Sequence, residues 1–171
     1  MDTITYEKIE SEVNRLAQII LAPEDSLPQY GLPNSEKPYV IIELDSKIFF
    51  EQRVDHGKVL FSIYATSLDD LLYSIFDYVT ETMSYNYSRM YDDGIEDWKR
   101  LKFRKKLELL RMLSTEWEQR ELRIQQLTTH ESMFNDNAGK KQAYLEELMG
   151  NGFLRHEAIL KVNERFSEKN L

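Results

Sequence analysis

Apolar and polar positions follow two different periods along this chain. From Ile48 to Ala65 apolar side chains recur at every second residue, and from Leu68 to Met90 at every third or fourth, so a sheet segment passes directly into a helix. The helical stretch carries Leu68, Leu71, Leu72, Ile75, Phe76, Val79, Met83, Tyr87 and Met90 on one face, which must be buried. Ser67 with Asp70 resembles a capping box, and Asp69 and Asp70 suit the positive end of the helix dipole. On the opposite side Tyr73, Asp77 and Glu81 follow one another at four-residue steps, with Asp70 one turn earlier.

Three strands precede this helix at short spacing: Tyr39 to Leu44, Ile48 to Val54 and Val59 to Ala65. Asp45-Ser46 and His56-Gly57 supply hairpin turns, and an antiparallel meander results. Ile48, Phe50, Gln52 and Val54 alternate with Phe49, Glu51 and Arg53, while Val59, Phe61 and Ile63 alternate with Leu60, Ser62 and Tyr64. The Val59, Phe61, Ile63 face is expected to pack against the central helix. The other face carries Phe49, Leu60 and Tyr64, more apolar surface than an open sheet needs, and points to a cover; a helix is the expected one, a partner the alternative.

Residues 3 to 21 read as a first helix, capped by Thr3 or Thr5, with Ile9, Val13, Leu16 and Ile20 buried and Pro23 as its stop. Residues 22 to 37, with Pro23, Pro28, Gly31 and Pro33, read as a surface loop without regular structure. After a break at Tyr91-Asp92-Asp93-Gly94, one helix is predicted from Ile95 to about Leu127, its buried stripe being Phe103, Leu107, Leu110, Leu113, Trp117, Ile124 and Leu127; it forms a hairpin with the central helix. A loop over Ser132 to Gly139 then leads to two short helices, Lys140 to Met149 and Phe153 to Phe166, separated by Gly150-Asn151-Gly152. The expected fold is a single α+β domain over residues 1–171: a three-stranded antiparallel meander against a long helical hairpin, with an N-terminal helix and two C-terminal ones.

Charge and composition narrow the chemistry. The 171 residues carry a net charge of -8 and no cysteine, which excludes disulfides, thiolate metal sites and thiol nucleophiles and favours basic partners over phosphate backbones. No apolar run is long enough to span a bilayer, so no membrane partner is expected. The start of the chain is acidic and lacks a secretory pattern, which suggests a cytoplasmic protein.

His56, His130 and His156 lie far apart, with no metal-ligand spacing, and neither a phosphate loop nor a nucleophile motif is present. No catalytic residue, metal or cofactor is therefore expected. Lys99, Arg100, Lys102, Arg104, Lys105 and Lys106 form one basic cluster that could serve nucleic acid. Its side chains spread around the helix, however, with Glu96, Asp97 and Glu108 near enough for pairing, so a solvated face is the preferred reading. The row of Tyr73, Asp77 and Glu81, with Asp70, is either an ordinary outer face or an acidic patch with an aromatic anchor suited to a basic protein partner.

Leu71-Leu72-Tyr73, Phe76, Met83 and Tyr87, followed by Asp97, Arg100, Phe103, Leu109-Leu110 and Trp117, resemble the pattern of predicted immunity proteins of bacterial polymorphic toxin systems, family sixty-three. The resemblance spans roughly residues 39 to 120. It implies a cytoplasmic antidote that binds and blocks a cognate toxin domain, and it designates no catalytic residue. Tyr73, Asp77, Glu81 and Asp70 are then the expected contacts with a basic toxin surface. The alternatives are a nucleic-acid-associated regulator using residues 99 to 106 and a small hydrolase.

Overall fold

The computed structural model describes residues 4–31, 36–43, 47–54, 58–92, 97–130, 133–134 and 138–166. The Thr3 cap, Pro33, Leu44, the Asp45-Ser46 and His56-Gly57 turns, Asp93-Gly94, Ile95, Glu96 and half of the Ser132 to Gly139 loop lie outside the described residues. In chain order the elements are α1 (Tyr6–Ile20), a single 3-10 turn (Glu24–Ser26), β1 (Gln29–Tyr30), β2 (Tyr39–Ile42), β3 (Ile48–Val54), β4 (Lys58–Ala65), α2 (Leu68–Met90), α3 (Trp98–Leu113), α4 (Thr115–Thr128), α5 (Ala138–Gly150) and α6 (Arg155–Arg165).

Helix α1 begins where Thr5 Oγ1 accepts the Lys8 amide at 3.3 Å, and it buries Ile9, Val13, Leu16, Ala17 and Ile20. Its last turn closes through Leu21, which takes a left-handed φ of 54° so that the amides of Leu21 and Ala22 reach back to Gln18 and Ala17. The Tyr6 hydroxyl accepts the Ile42 amide at 2.9 Å and ties this helix to the sheet.

The sheet is mixed and four-stranded, in the order β1-β2-β3-β4, not a three-stranded meander. The extra strand, β1, comes from the segment read as a loop: Gln29 donates to Pro38 at 2.9 Å and Gly31 to Val40 at 2.8 Å, which sets β1 parallel to β2. Two residues between prolines show no alternation, so only tertiary pairing reveals them. β2, β3 and β4 are antiparallel neighbours, as the turn spacing predicts, with a register irregularity at Gln52/Arg53.

Helix α2 is the axis of the main core. Ser67 Oγ accepts the Asp70 amide at 3.1 Å, and the Asp70 carboxylate takes the Thr66 hydroxyl. Leu71, Ile75, Phe76 and Val79 are fully buried, packed with side chains of α1 and with Val40, Ile48, Phe50 and Ala65 of the sheet. β4 joins this core less than its pattern suggests. Phe61 packs at 5.1 Å from Phe50 and 6.0 Å from Tyr78, but Ile63 stays exposed, and the irregularity at Gln52/Arg53 sets Val59 opposite Arg53, away from the face expected of it. A helix about 10 Å across covers roughly two strands spaced about 4.8 Å apart, and β4 is the edge strand.

The predicted helix from residue 95 to 127 is two helices. Ser114 is extended, at φ -160° and ψ 130°; its amide closes α3 on Leu110 at 2.8 Å, while its Oγ accepts the Trp117 amide at 3.3 Å and opens α4. The break shifts the buried face. Leu110 and Trp117 are buried as expected, but α4 continues inward with Glu121 and Gln125, leaving Ile124 and Leu127 exposed. Helices α5 and α6 bury a second, smaller cluster, Leu148, Ala158 and Val162, between themselves. Met133 and Phe134 dock on α3: Lys99 Nζ donates to the Met133 carbonyl at 2.9 Å and Phe103 meets the Phe134 ring at 6.0 Å.

Phe76 is fully buried and lies 6.2 Å from the Trp117 ring, so Phe76→Ala should destabilise the protein by about 3 to 5 kcal/mol in a chemical denaturation series. A shift within measurement error would remove that ring from the core.

Candidate functional site

The row predicted for a partner sits between helices. Tyr73 is 4% exposed, its ring edge-on to Trp117 at 6.0 Å, with the Arg120 guanidinium 3.9 Å above it. Trp117 also stacks on Phe76 and donates its indole N–H to Asp69 at 3.3 Å. Tyr73 is thus part of the α2–α4 contact and not an exposed anchor. The expectation of a face opposite the buried stripe fails because α2 is enclosed on more than one side, by the sheet, by α1 and α3, and through Trp117 by α4.

Asp77 and Glu81 are drawn into the same seam by one lysine. Lys106, only 6% exposed, places its ammonium 2.8 Å from Asp77, 3.1 Å from Glu121 and 3.4 Å from Glu81. Lys102 adds a 2.6 Å contact to Glu81, and Gln125 Nε2 donates to Glu121 at 3.0 Å. Asp70 lies 3.7 Å from Arg120. All four predicted residues therefore belong to one charged seam joining α2, α3 and α4, with the carboxylates of Asp70, Asp77 and Glu81 still partly open to solvent. The sequence reading placed Lys106 in the basic cluster and not with these carboxylates, and it did not single out Arg120 or Glu121. The available signal was the four-residue spacing of Trp117, Glu121 and Gln125, visible once Ser114 is read as a helix cap with Glu116 and Glu118 in the following turn.

The basic cluster is only partly the solvated face expected of it: Lys106 is buried in the seam and Lys102 turns to Glu81, while the others pair nearer the surface. Lys105 pairs with Glu108 at 2.7 Å and lies over Tyr87, Lys99 lies 4.0 Å from Asp97, and Arg100 covers the Phe134 ring at 4.0 Å. Asp97 is the N-cap of α3, accepting the Lys99 amide at 2.9 Å.

The sheet offers a different surface. On the side away from α2, Phe49 and Tyr64 pack ring to ring at 5.5 Å beside Leu60, and Leu60 and Tyr64 are exposed. The helix expected to cover this face does not do so: among the described residues the helices that meet the sheet most extensively are on the other side. Its polar part is internally bonded, with Glu51 accepting from Tyr39 at 2.6 Å and Ser62 at 2.7 Å and pairing with Arg53 at 3.1 Å.

Reactive groups do not gather elsewhere. Among the described residues no cluster of His, Asp and Glu could hold a metal, and no helix is long and apolar enough to cross a membrane. One groove, about 480 Å³ beside α1 and the 3-10 turn, is lined by Asn14, Ala17, Gln18, Leu21, Ala22, Glu24 and Leu27, with a single carboxylate.

Against this geometry, the family model described as immunity protein 63 matches residues 48–126, just under half of the chain. The resemblance is to Imm63. No curated protein and no solved structure matches. The Imm63 segment runs from β3 into α4 and so contains the whole charged seam and the exposed strand β4, while α1, β1, β2, α5 and α6 lie outside it. Of the residues that carried the resemblance in the sequence, Leu71, Leu72, Tyr73, Phe76, Leu109, Leu110 and Trp117 are buried, and Asp97 is a cap. They describe the frame of the Imm63 segment more than its contact surface.

The seam predicts how stability responds to pH. Burial alone would raise the Glu81 carboxyl, but the Lys102 hydrogen bond and the charges of Lys106 and Lys102 hold it below its usual range. Burial opposes the charge on Lys106, and Asp77 first, then Glu121 and Glu81, raise it above the ordinary lysine value. Tyr73 is pushed up to about 12 by burial, then by Asp77 and Glu121. The lowered Glu81 contributes stability that is present above the unfolded carboxylate value and lost as pH falls through the folded one; the raised Lys106 and Tyr73 contribute stability lost as pH rises through theirs. Denaturation midpoints should therefore plateau around neutrality and fall on both sides, with Glu81→Gln making the acid limb shallower. An acid limb identical in the parent and Glu81→Gln would exclude this carboxylate from the balance.

Proposed function

We propose that the protein is a cytoplasmic antidote of a bacterial polymorphic toxin system, which binds a cognate toxin domain in a stoichiometric complex and blocks it without chemical modification. The match of residues 48–126 to immunity protein 63 carries this reading. Two further features agree with it: a net charge of -8, which suits electrostatic steering towards a basic surface, and polar side chains engaged mainly with one another instead of converging on a substrate cleft.

In this reading the exposed halves of Asp70, Asp77 and Glu81 supply the acidic contact, and Tyr73 supports them from beneath. Because these carboxylates also hold the fold, the test uses neutral substitutions. Co-expression with the toxin domain encoded beside it should restore growth, and the purified pair should elute as one complex whose association slows at high salt. Asp77→Asn combined with Glu81→Gln should slow association several-fold while leaving dissociation nearly unchanged. Binding kinetics should be read alongside thermal melts, since an unfolded variant would mimic lost binding. Failure of the parent to bind or protect would refute the function, whereas unchanged kinetics in a folded double variant would move the contact elsewhere. Tight, salt-sensitive binding to DNA or RNA that vanishes on neutralising Lys102, Lys105 and Lys106 would instead favour the nucleic-acid regulator.

A further inference from the structure

Strand β4 closes the sheet, and among the described residues it pairs with β3 on one side only. Its apolar side chains are open on both faces: Ile63 is 40% exposed on the side of α2, and Leu60 is 59% and Tyr64 54% exposed on the outer side, with Val59, 48% exposed, set opposite Arg53 beyond the register irregularity. Soluble proteins usually protect such an edge with charges or proline, because its unpaired N–H and C=O groups can accept another strand. Within Lys58–Ala65 the only charge is Lys58, at the first position, and there is no proline.

We infer that the β4 edge pairs with β4 of a second copy of this chain, antiparallel about a two-fold axis at Ser62, to make one continuous sheet. In an antiparallel pair directly opposed residues point to the same face. Centring on Ser62 opposes Leu60 with Tyr64 on the outer face, extending the Phe49–Tyr64 cluster across the axis, and opposes Phe61 with Ile63 on the inner face. Lys58 falls opposite Thr66, beyond the strand, so no like charges meet. Centring on Phe61 instead would oppose Leu60 with Ser62 and Tyr64 with Lys58, wasting both large outer residues.

Charge favours a second copy over a basic partner here. β4 carries no carboxylate, and Glu51 on the neighbouring strand is engaged by Tyr39, Ser62 and Arg53. Two copies of net charge -8 repel at long range, so pairing through this uncharged edge should tighten as salt rises, opposite to the response of a complex with a basic toxin.

Sedimentation of the full chain over a concentration series at low and high salt should show a monomer–dimer equilibrium that strengthens with salt. Leu60→Lys should abolish the dimer with an unchanged melting temperature, while Leu127→Lys, an exposed position on α4, should not affect it. The chain has no cysteine, so cross-linking can read the register: Ser62→Cys should oxidise to a linked dimer, and Leu60→Cys should not, because it faces Tyr64 of the other copy. A monomer under all conditions, a dimer indifferent to Leu60→Lys, or cross-linking no better at position 62 than at 60 would overturn the proposal. So would β4 amides that gain protection from hydrogen exchange only when the toxin domain is added, which would assign the edge to the toxin.

Discussion

A single ammonium group buried among three helices sets the terms for the rest of the structure. Removing Lys106 from water is costly, and the cost is offset only because α2 offers Asp77 and Glu81 and α4 offers Glu121 within 3.4 Å. That requirement fixes the angle of α4, and hence the break at Ser114. The α2 surface facing this seam follows from it as well. Thr80, Ser84 and Ser88, four residues apart and fully buried, return their hydroxyls to carbonyls of their own helix at 2.6, 3.0 and 2.8 Å. Small, internally satisfied side chains allow α3 to approach closely along this seam.

The elements with a single buried face were legible in the sequence. Residues of α1 and α2 alternate at helical period because one side faces the sheet, and β3 alternates cleanly because α2 covers one of its faces. The second buried side of α2 was not legible, since Thr80, Ser84, Asp77 and Glu81 look like an outer face until the Lys106 ammonium is placed among them. The same reason hid the inward side of α4, where Glu121 and Gln125 occupy positions that a hydrophobic pattern gives to Ile124 and Leu127. β1 is held by two backbone hydrogen bonds and carries no pattern at all. For the candidate site, the spacing of the four residues does bring them together, in a helix seam instead of on an open face.

The division between frame and surface bears on function. Most of the side chains that resemble the immunity family fill the core, and Asp97 caps a helix, so the resemblance rests on packing positions of residues 48–126 more than on an exposed surface. In the proposed reading, the choice of partner resides in what that frame leaves open: the outer halves of the seam carboxylates, which carry charge, and the β4 edge with its neighbouring sheet face, which carries apolar surface and, among the described residues, pairs with β3 alone. The two proposed contacts should respond oppositely to salt, which makes their roles separable in solution.

The most direct test of the central claim is a double-mutant cycle on Lys106 and Glu121, read as unfolding free energy at neutral pH. Lys106→Met alone should cost about 3 kcal/mol, because it leaves carboxylates facing one another across the seam without a counter-charge. Adding Glu121→Gln should recover part of that loss, with a coupling of about 1 kcal/mol or more. A Lys106→Met variant as stable as the parent, or losses that simply add, would contradict the account of a seam organised by this one charge.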